Sequence, residues 1–188
     1  MDERSARIVE TAIELAAGDG YEAVRLREVA AKARVALGTV YKRFASKEDI
    51  LIAAMMSEGQ KLLARFQNVP AGDTPAERVE TFFRDATRRL LERPKLARAF
   101  LRAVALSDGM PGRLASMHAV ITGLVVSAIR GERISEVREW GTEADEEARI
   151  VAAVLQQVWF AALIGWSAGH HDAAGVVLQV RRAAERML

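Results

Sequence analysis

Apolar residues recur along this chain at the three- and four-residue spacing of helices, and polar residues fill the positions between. Ile8, Ala12, Leu15 and Ala16 share one face, which predicts a helix over residues 3–17 stopped by Gly18-Asp19-Gly20. Leu26, Val29, Ala30 and Ala33 follow at offsets 0, 3, 4 and 7. Val40 and Phe44, four apart, point inward together, with Val35 placed to plug the corner between two short helices. Ser46-Lys47-Glu48-Asp49 reads as a capping box opening a helix over 47–67, and 68–74 as a linker. Thr74-Pro75-Ala76-Glu77 supplies a cap, a proline at the first helical position and an acid at the third, predicting a fifth helix to about 92. Pro94 opens a sixth, ending near Ser107. The seventh covers 112–129, the eighth 143–168, and the ninth runs from the break at Gly169-His170-His171-Asp172 to the end. The polar stretch 131–142 reads as an exposed loop. No strand pattern appears, so the fold class is all-α with about nine helices.

The segment 24–44 carries the functional signal. Small Ala30, Ala31 and Ala33 let two helices cross closely, the layout of a helix-turn-helix that lays its second helix in a DNA major groove. Outward positions are then Gly38, Thr39, Tyr41, Lys42 and Arg43. Gly38 lets backbone approach a phosphate closely, and Thr39 and Tyr41 offer hydroxyls to phosphate oxygens. Lys42 and Arg43 can reach a guanine edge or a phosphate. Lys47, at the start of the next helix, suits a phosphate, and Arg27 joins the set from the first helix of the motif. Charge agrees locally. The whole chain carries a formal +2, whereas residues 25–47 hold seven basic residues and one acid, a net of +6. The competing reading is a pair of ordinary surface helices with a solvated basic face.

The ordered set Gly20-Tyr21, Val29-Ala30-Ala31-Lys32-Ala33 and Gly38-Thr39-Val40-Tyr41-Lys42-Arg43-Phe44-Ala45-Ser46-Lys47-Glu48 resembles the TetR family of bacterial transcriptional repressors over about residues 4–55. The resemblance implies a homodimer with a helix-turn-helix domain at 1–46, an effector-binding and dimerisation domain at 47–188, and a double-stranded operator as partner; a cytoplasmic location is expected from the lack of cysteine and of a signal-peptide pattern. Three positions depart from the family's pattern. Arg34 stands where glycine is usual in the turn, at a cost of about 1 kcal/mol for a left-handed backbone. Ala36 replaces the usual serine cap, a loss of roughly 1 kcal/mol. Leu37 replaces a polar residue, and either meets a thymine methyl or joins the core. A narrower likeness within the family, carried by residues 157–166, points to a lipid or acyl-CoA effector.

Further along, Phe82, Phe83, Phe100, Met110, Met117, Trp159 and Phe160 are core residues by default. In a ligand-binding domain, Phe82, Phe83, Phe100, Met110, Met117 and Trp159 are the candidates to line an apolar pocket. Ala161, Gly165 and Gly169 are spaced by four, and with Val176, Val177, Val180 and Ala184 they suggest a four-helix dimer interface. Packing within one chain is the alternative, and the family resemblance supplies most of the weight for the interface.

Composition removes several classes. Cysteine is absent, which excludes disulfides, cysteine metal sites and cysteine nucleophiles. No signal-peptide pattern opens the chain. Residues 150–168 approach a membrane-spanning length, but Gln156 and Gln157 interrupt them, and a buried core or dimer helix is expected. His170-His171-Asp172 lacks the spacing of a metal site. His118, alone on an apolar helix, reads as a core or pocket histidine. No nucleophile elbow or phosphate loop is present, and neither a metal nor a cofactor is expected. The expectation is a ligand-responsive DNA-binding regulator, not an enzyme. A helical adaptor dimer and a small all-α enzyme acting on a lipid are the alternatives.

Overall fold

A computed structural model describes residues 2–63, 68–107, 111–133 and 143–188. Met110, the last predicted turn of the fourth helix and most of the predicted loop at 131–142 lie outside the described residues. Among them are nine α-helices and one short 3-10 turn, with no strand: α1 (Glu3–Asp19), the 3-10 turn (Tyr21–Ala23), α2 (Leu26–Lys32), α3 (Leu37–Arg43), α4 (Lys47–Leu63), α5 (Pro75–Leu91), α6 (Pro94–Leu106), α7 (Pro111–Arg130), α8 (Glu143–Ser167) and α9 (Ala173–Met187).

The helix ends obey local chemistry. Asp2 caps α1 by accepting from the Ser5 amide at 2.8 Å, and Gly20 ends the helix at φ 82°. At α4, Ser46 Oγ accepts from the Asp49 amide while the Asp49 carboxylate accepts from the Ala45 amide. Thr74 and Glu77 make the reciprocal box at α5, where the Asp73 and Thr74 amides lower the Glu77 carboxyl's pKa. Asp172 caps α9 through the Gly175 amide at 2.9 Å.

The chain forms two compact units. The first holds Met1–Gln60 and Glu92–Leu114. Ile8, Ala12, Ile13 and Ala16 of α1 are buried, and α6 packs on α1 and on the 3-10 turn. The buried face of α6, with Leu96, Ala97, Phe100 and Leu101, explains why it belongs here. The first unit therefore extends past residue 46 to take in α6 and most of α4.

The second unit holds Lys61–Leu91 and Ala115–Leu188. Its core joins Val79, Phe82 and Phe83 of α5 to Leu124, Val125, Val126 and Ala128 of α7, Ala152 and Leu155 of α8, and Val180 and Ala184 of α9. Phe83 meets Phe82 edge-on at 5.0 Å between centroids and Trp159 at 5.5 Å. The Trp159 indole donates to Thr87 Oγ1 at 2.8 Å, satisfying both groups. Arg78 on α5 donates to the Ala128 and Ile129 carbonyls at 2.8 and 3.0 Å, closing the C-terminal end of α7. His118 is exposed rather than part of the core. Within α8, Glu146–Ser167 is long and apolar enough to cross a membrane by length and composition. Ala152, Leu155, Ala162 and Leu163 spend one face of it on the core.

At the α8–α9 corner the His171 ring fills the space that a Cβ on Gly165 would need, and a Cβ on Gly175 would stand 2.8 Å from His171 Cβ. His171 Nε2 is 2.7 Å from the Ala162 carbonyl. Gly165→Ala is expected to lower unfolding free energy by about 1–3 kcal/mol through this overpacking. Chemical denaturation of Gly165→Ala in wild-type and His171→Ala backgrounds checks it. A penalty of the same size in both backgrounds would show that the histidine is not the obstacle.

Candidate nucleic-acid interface

The turn between α2 and α3 has a complete hydrogen-bonded helix stop. The Arg34 amide donates to the Ala31 carbonyl at 3.2 Å and the Val35 amide to the Ala30 carbonyl at 3.0 Å. That pattern requires a left-handed residue at the position after the cap, and Arg34 occupies it at φ 53°, alone among the described non-glycine residues. Arg34→Gly is expected to stabilise the protein by about 1 kcal/mol, seen as a melting temperature roughly 2–4 °C higher. An unchanged or lower value would mean that the arginine side chain compensates for its backbone. Ala36 caps α3 without any side-chain bond, as its methyl group dictates.

Two sides of α3 have opposite fates. Val40 is fully buried and Phe44 nearly so. Opposite them Gly38, Tyr41 and Lys42 are exposed, Leu37 and Thr39 half-buried, and Tyr41 keeps 57% of its surface open to solvent. Arg27 on α2 is exposed. A large aromatic held outward beside a lysine, with glycine one turn away, can offer a hydroxyl, a cation and a close backbone approach to one strand of a duplex.

Arg43 and Lys47 have partners that spacing along the chain does not reveal. The Arg43 guanidinium turns back to the start of α1, where it pairs with Asp2 and donates to Ser5 Oγ at 2.7 Å. Its Nε is buried with no partner. The Ser5 amide and this guanidinium hold the Asp2 carboxyl down to about 2. Arg43 therefore ties α3 to α1. Lys47 stands 3.3 Å from Glu22 and 3.9 Å from the centre of the Tyr21 ring.

The candidate pocket and interface residues separate as well. Phe82, Phe83 and Trp159 come together in the second unit, whereas Phe100 is buried in the first. Met117 is half-buried on α7. Val176, Val180 and Ala184 are fully buried in their own protomer, because the α9 face that carries them packs on α5 and α8. They have no surface left for a partner. Gly165 makes room for His171. Ala161 and Gly169 are exposed and Val177 half-buried. Spacing on α8 and α9 does not by itself distinguish packing within one chain from packing against a second copy. The large apolar residues exposed on these elements are Ile150, Val154, Phe160, Ile164, Leu178 and Met187, with Ile150 58% exposed.

Residues 8–54 match the model for bacterial regulatory proteins of the tetR family, and residues 72–187 match the tetracyclin repressor-like C-terminal domain. The HTH-type transcriptional repressor KstR of Rhodococcus jostii is 31% identical over 186 residues, covering 99% of this chain and 83% of its own length. A TetR transcriptional regulator from Rhodococcus sp. RHA1 superposes with a TM-score of 0.82 at 26% identity, covering 98% of this chain and 95% of its own. The regulator FadR from Bacillus subtilis, solved in complex with stearoyl-CoA, shares the fold with a TM-score of 0.63 at 19% identity, over 97% of this chain and 96% of its own.

The family models and the KstR relative make this a DNA-binding helix-turn-helix transcriptional repressor. The chain belongs to the TetR family, whose members and curated relatives regulate transcription.

Proposed function

We propose that this protein is a homodimeric repressor released from a palindromic operator by an apolar effector of the lipid or acyl-CoA class. The observation that carries the reading is the division of α3, with Val40 and Phe44 committed to the core and Gly38, Tyr41 and Lys42 left open. In this reading Thr39, Tyr41 and Lys47 hold phosphates, Lys42 reads a base edge, and Arg27 and Leu37 flank them. Arg43 sets the pose of α3 on α1. Functionally, residues 1–46 together with Lys47 make the contacts, and the remainder binds effector and partner.

The dimer face runs along the outer side of α8 and α9, through Ile150, Val154, Ala161 and Ile164, spaced by four, seven and three on α8, and through Leu178 on α9. Two copies joined there would present two α3 helices to successive major grooves, about 34 Å apart. The effector class rests on the fold shared with a protein solved holding stearoyl-CoA and on the aromatic cluster of Phe82, Phe83 and Trp159.

Selection from random duplex DNA, followed by fluorescence anisotropy on the enriched site and a scrambled control over a salt series, tests the reading. A palindrome bound by a dimer with a steep salt slope is expected, with affinity falling when stearoyl-CoA is added. Failure to enrich any sequence would overturn the operator assignment and favour a helical adaptor. Enrichment with no response to stearoyl-CoA or lauroyl-CoA would overturn the effector class alone.

A further inference from the structure

Around the 3-10 turn, two cations share one carboxylate and one aromatic ring. Glu22 Oε2 lies 3.3 Å from Lys47 Nζ at the start of α4, and Glu22 Oε1 lies 2.9 Å from Arg102 Nη2 on α6. Lys47 Nζ stands 3.9 Å from the centre of the Tyr21 ring, and Arg102 Cζ stands 4.3 Å from it. Tyr21 itself is fixed, since its ring is buried and its hydroxyl donates to Glu48. Burial first, and then Glu48, push the phenol up to about 12, so it remains a donor throughout the working range.

We propose that Arg102 is a positioning residue for DNA binding, acting by holding Glu22 in a shared pair and so leaving Lys47 available to a phosphate. This rests on the operator reading above. The sign follows from charge. With Arg102 in place, the carboxylate is shared with a second cation. Without it, the whole charge of Glu22 acts on Lys47 and competes with phosphate for the ammonium. Any displacement of α6 that draws Arg102 away has the same sign and weakens DNA binding.

Glu22 and Arg102 are both more than half exposed, so substitutions there leave the core intact, and the pairs are worth little individually. Two clasps act in one dimer, and Arg102→Ala is expected to weaken operator binding roughly three- to tenfold. Glu22→Gln should strengthen binding by a similar factor. The decisive result is the double variant, which should bind as Glu22→Gln does, because Arg102 has no carboxylate left to hold. Arg102→Lys should restore most of the affinity, and the coupling should fade as salt rises. The measurement is anisotropy on the selected operator for the four proteins of the cycle and the lysine variant. An equal drop on losing Arg102 in both backgrounds would show only the loss of a positive charge near DNA and would overturn the clasp. An unchanged affinity for Arg102→Ala would do the same. Wild-type protein that prefers no sequence would overturn the operator reading, and the clasp with it.

Discussion

Gly38→Ala is expected to leave the protein folded, or stabilise it, while weakening operator binding on the order of a hundredfold. A Cβ at Gly38 meets no atom within 4 Å, so nothing in the free protein explains why the side chain is missing. Helix propensity favours alanine there by up to about 1 kcal/mol, a melting temperature roughly 2–4 °C higher. On DNA the balance reverses. If the backbone at this turn of α3 lies against a phosphate, a methyl group pushes it away from one charged contact in each protomer. Losing about 1.5 kcal/mol twice gives the stated factor. Thermal unfolding and operator anisotropy on the same preparation separate the effects. A variant that binds as well as wild type would mean that this backbone does not approach the duplex.

Phe83→Ala should have the largest effect on stability, a loss of about 3–5 kcal/mol. Phe83 is fully buried, with Phe82 and Trp159 against its ring and residues of α7, α8 and α9 completing the cluster. Truncation removes the transfer energy of the ring and leaves a cavity that four helices cannot all close on. The midpoint of urea unfolding, at fixed protomer concentration because a dimer's stability depends on it, gives the number. A loss near 1 kcal/mol would place Phe83 on the wall of a pre-existing pocket, where the ring already lacks contacts on one side. The experiment therefore also separates core from pocket for this residue.

Local chemistry made the helix ends legible. The serine–aspartate and threonine–glutamate boxes, the glycine stop at Gly20 and the glycine-free turn at Arg34 all depend on residues within five positions of one another. The strained Arg34 and uncapped Ala36 were likewise readable, because the turn leaves one backbone solution and alanine has no acceptor. Side-chain charge was less legible. Arg43 and Lys47 look equivalent to Lys42 along the chain, yet Arg43 is held by Asp2, 41 residues away, and Lys47 by Glu22, 25 residues away. Spacing predicts which side of a helix a cation occupies, but not which distant carboxylate folds against it.

By itself the sequence determined the all-α class, the helix-turn-helix and the outward face of α3, because each follows from period, caps and small residues inside one short segment. Tertiary structure decided where the apolar stripes go. Helix α6 carries an ordinary amphipathic pattern, and only packing assigns it to α1 and the head. Val176, Val180 and Ala184 match an interface as well as a core, and packing on α5 and α8 buries them within the protomer, leaving Ile150, Val154, Ile164 and Leu178 outside. The physical reason is that burial is non-directional. A stripe states that a face must be covered, and which surface covers it is settled when the helices meet.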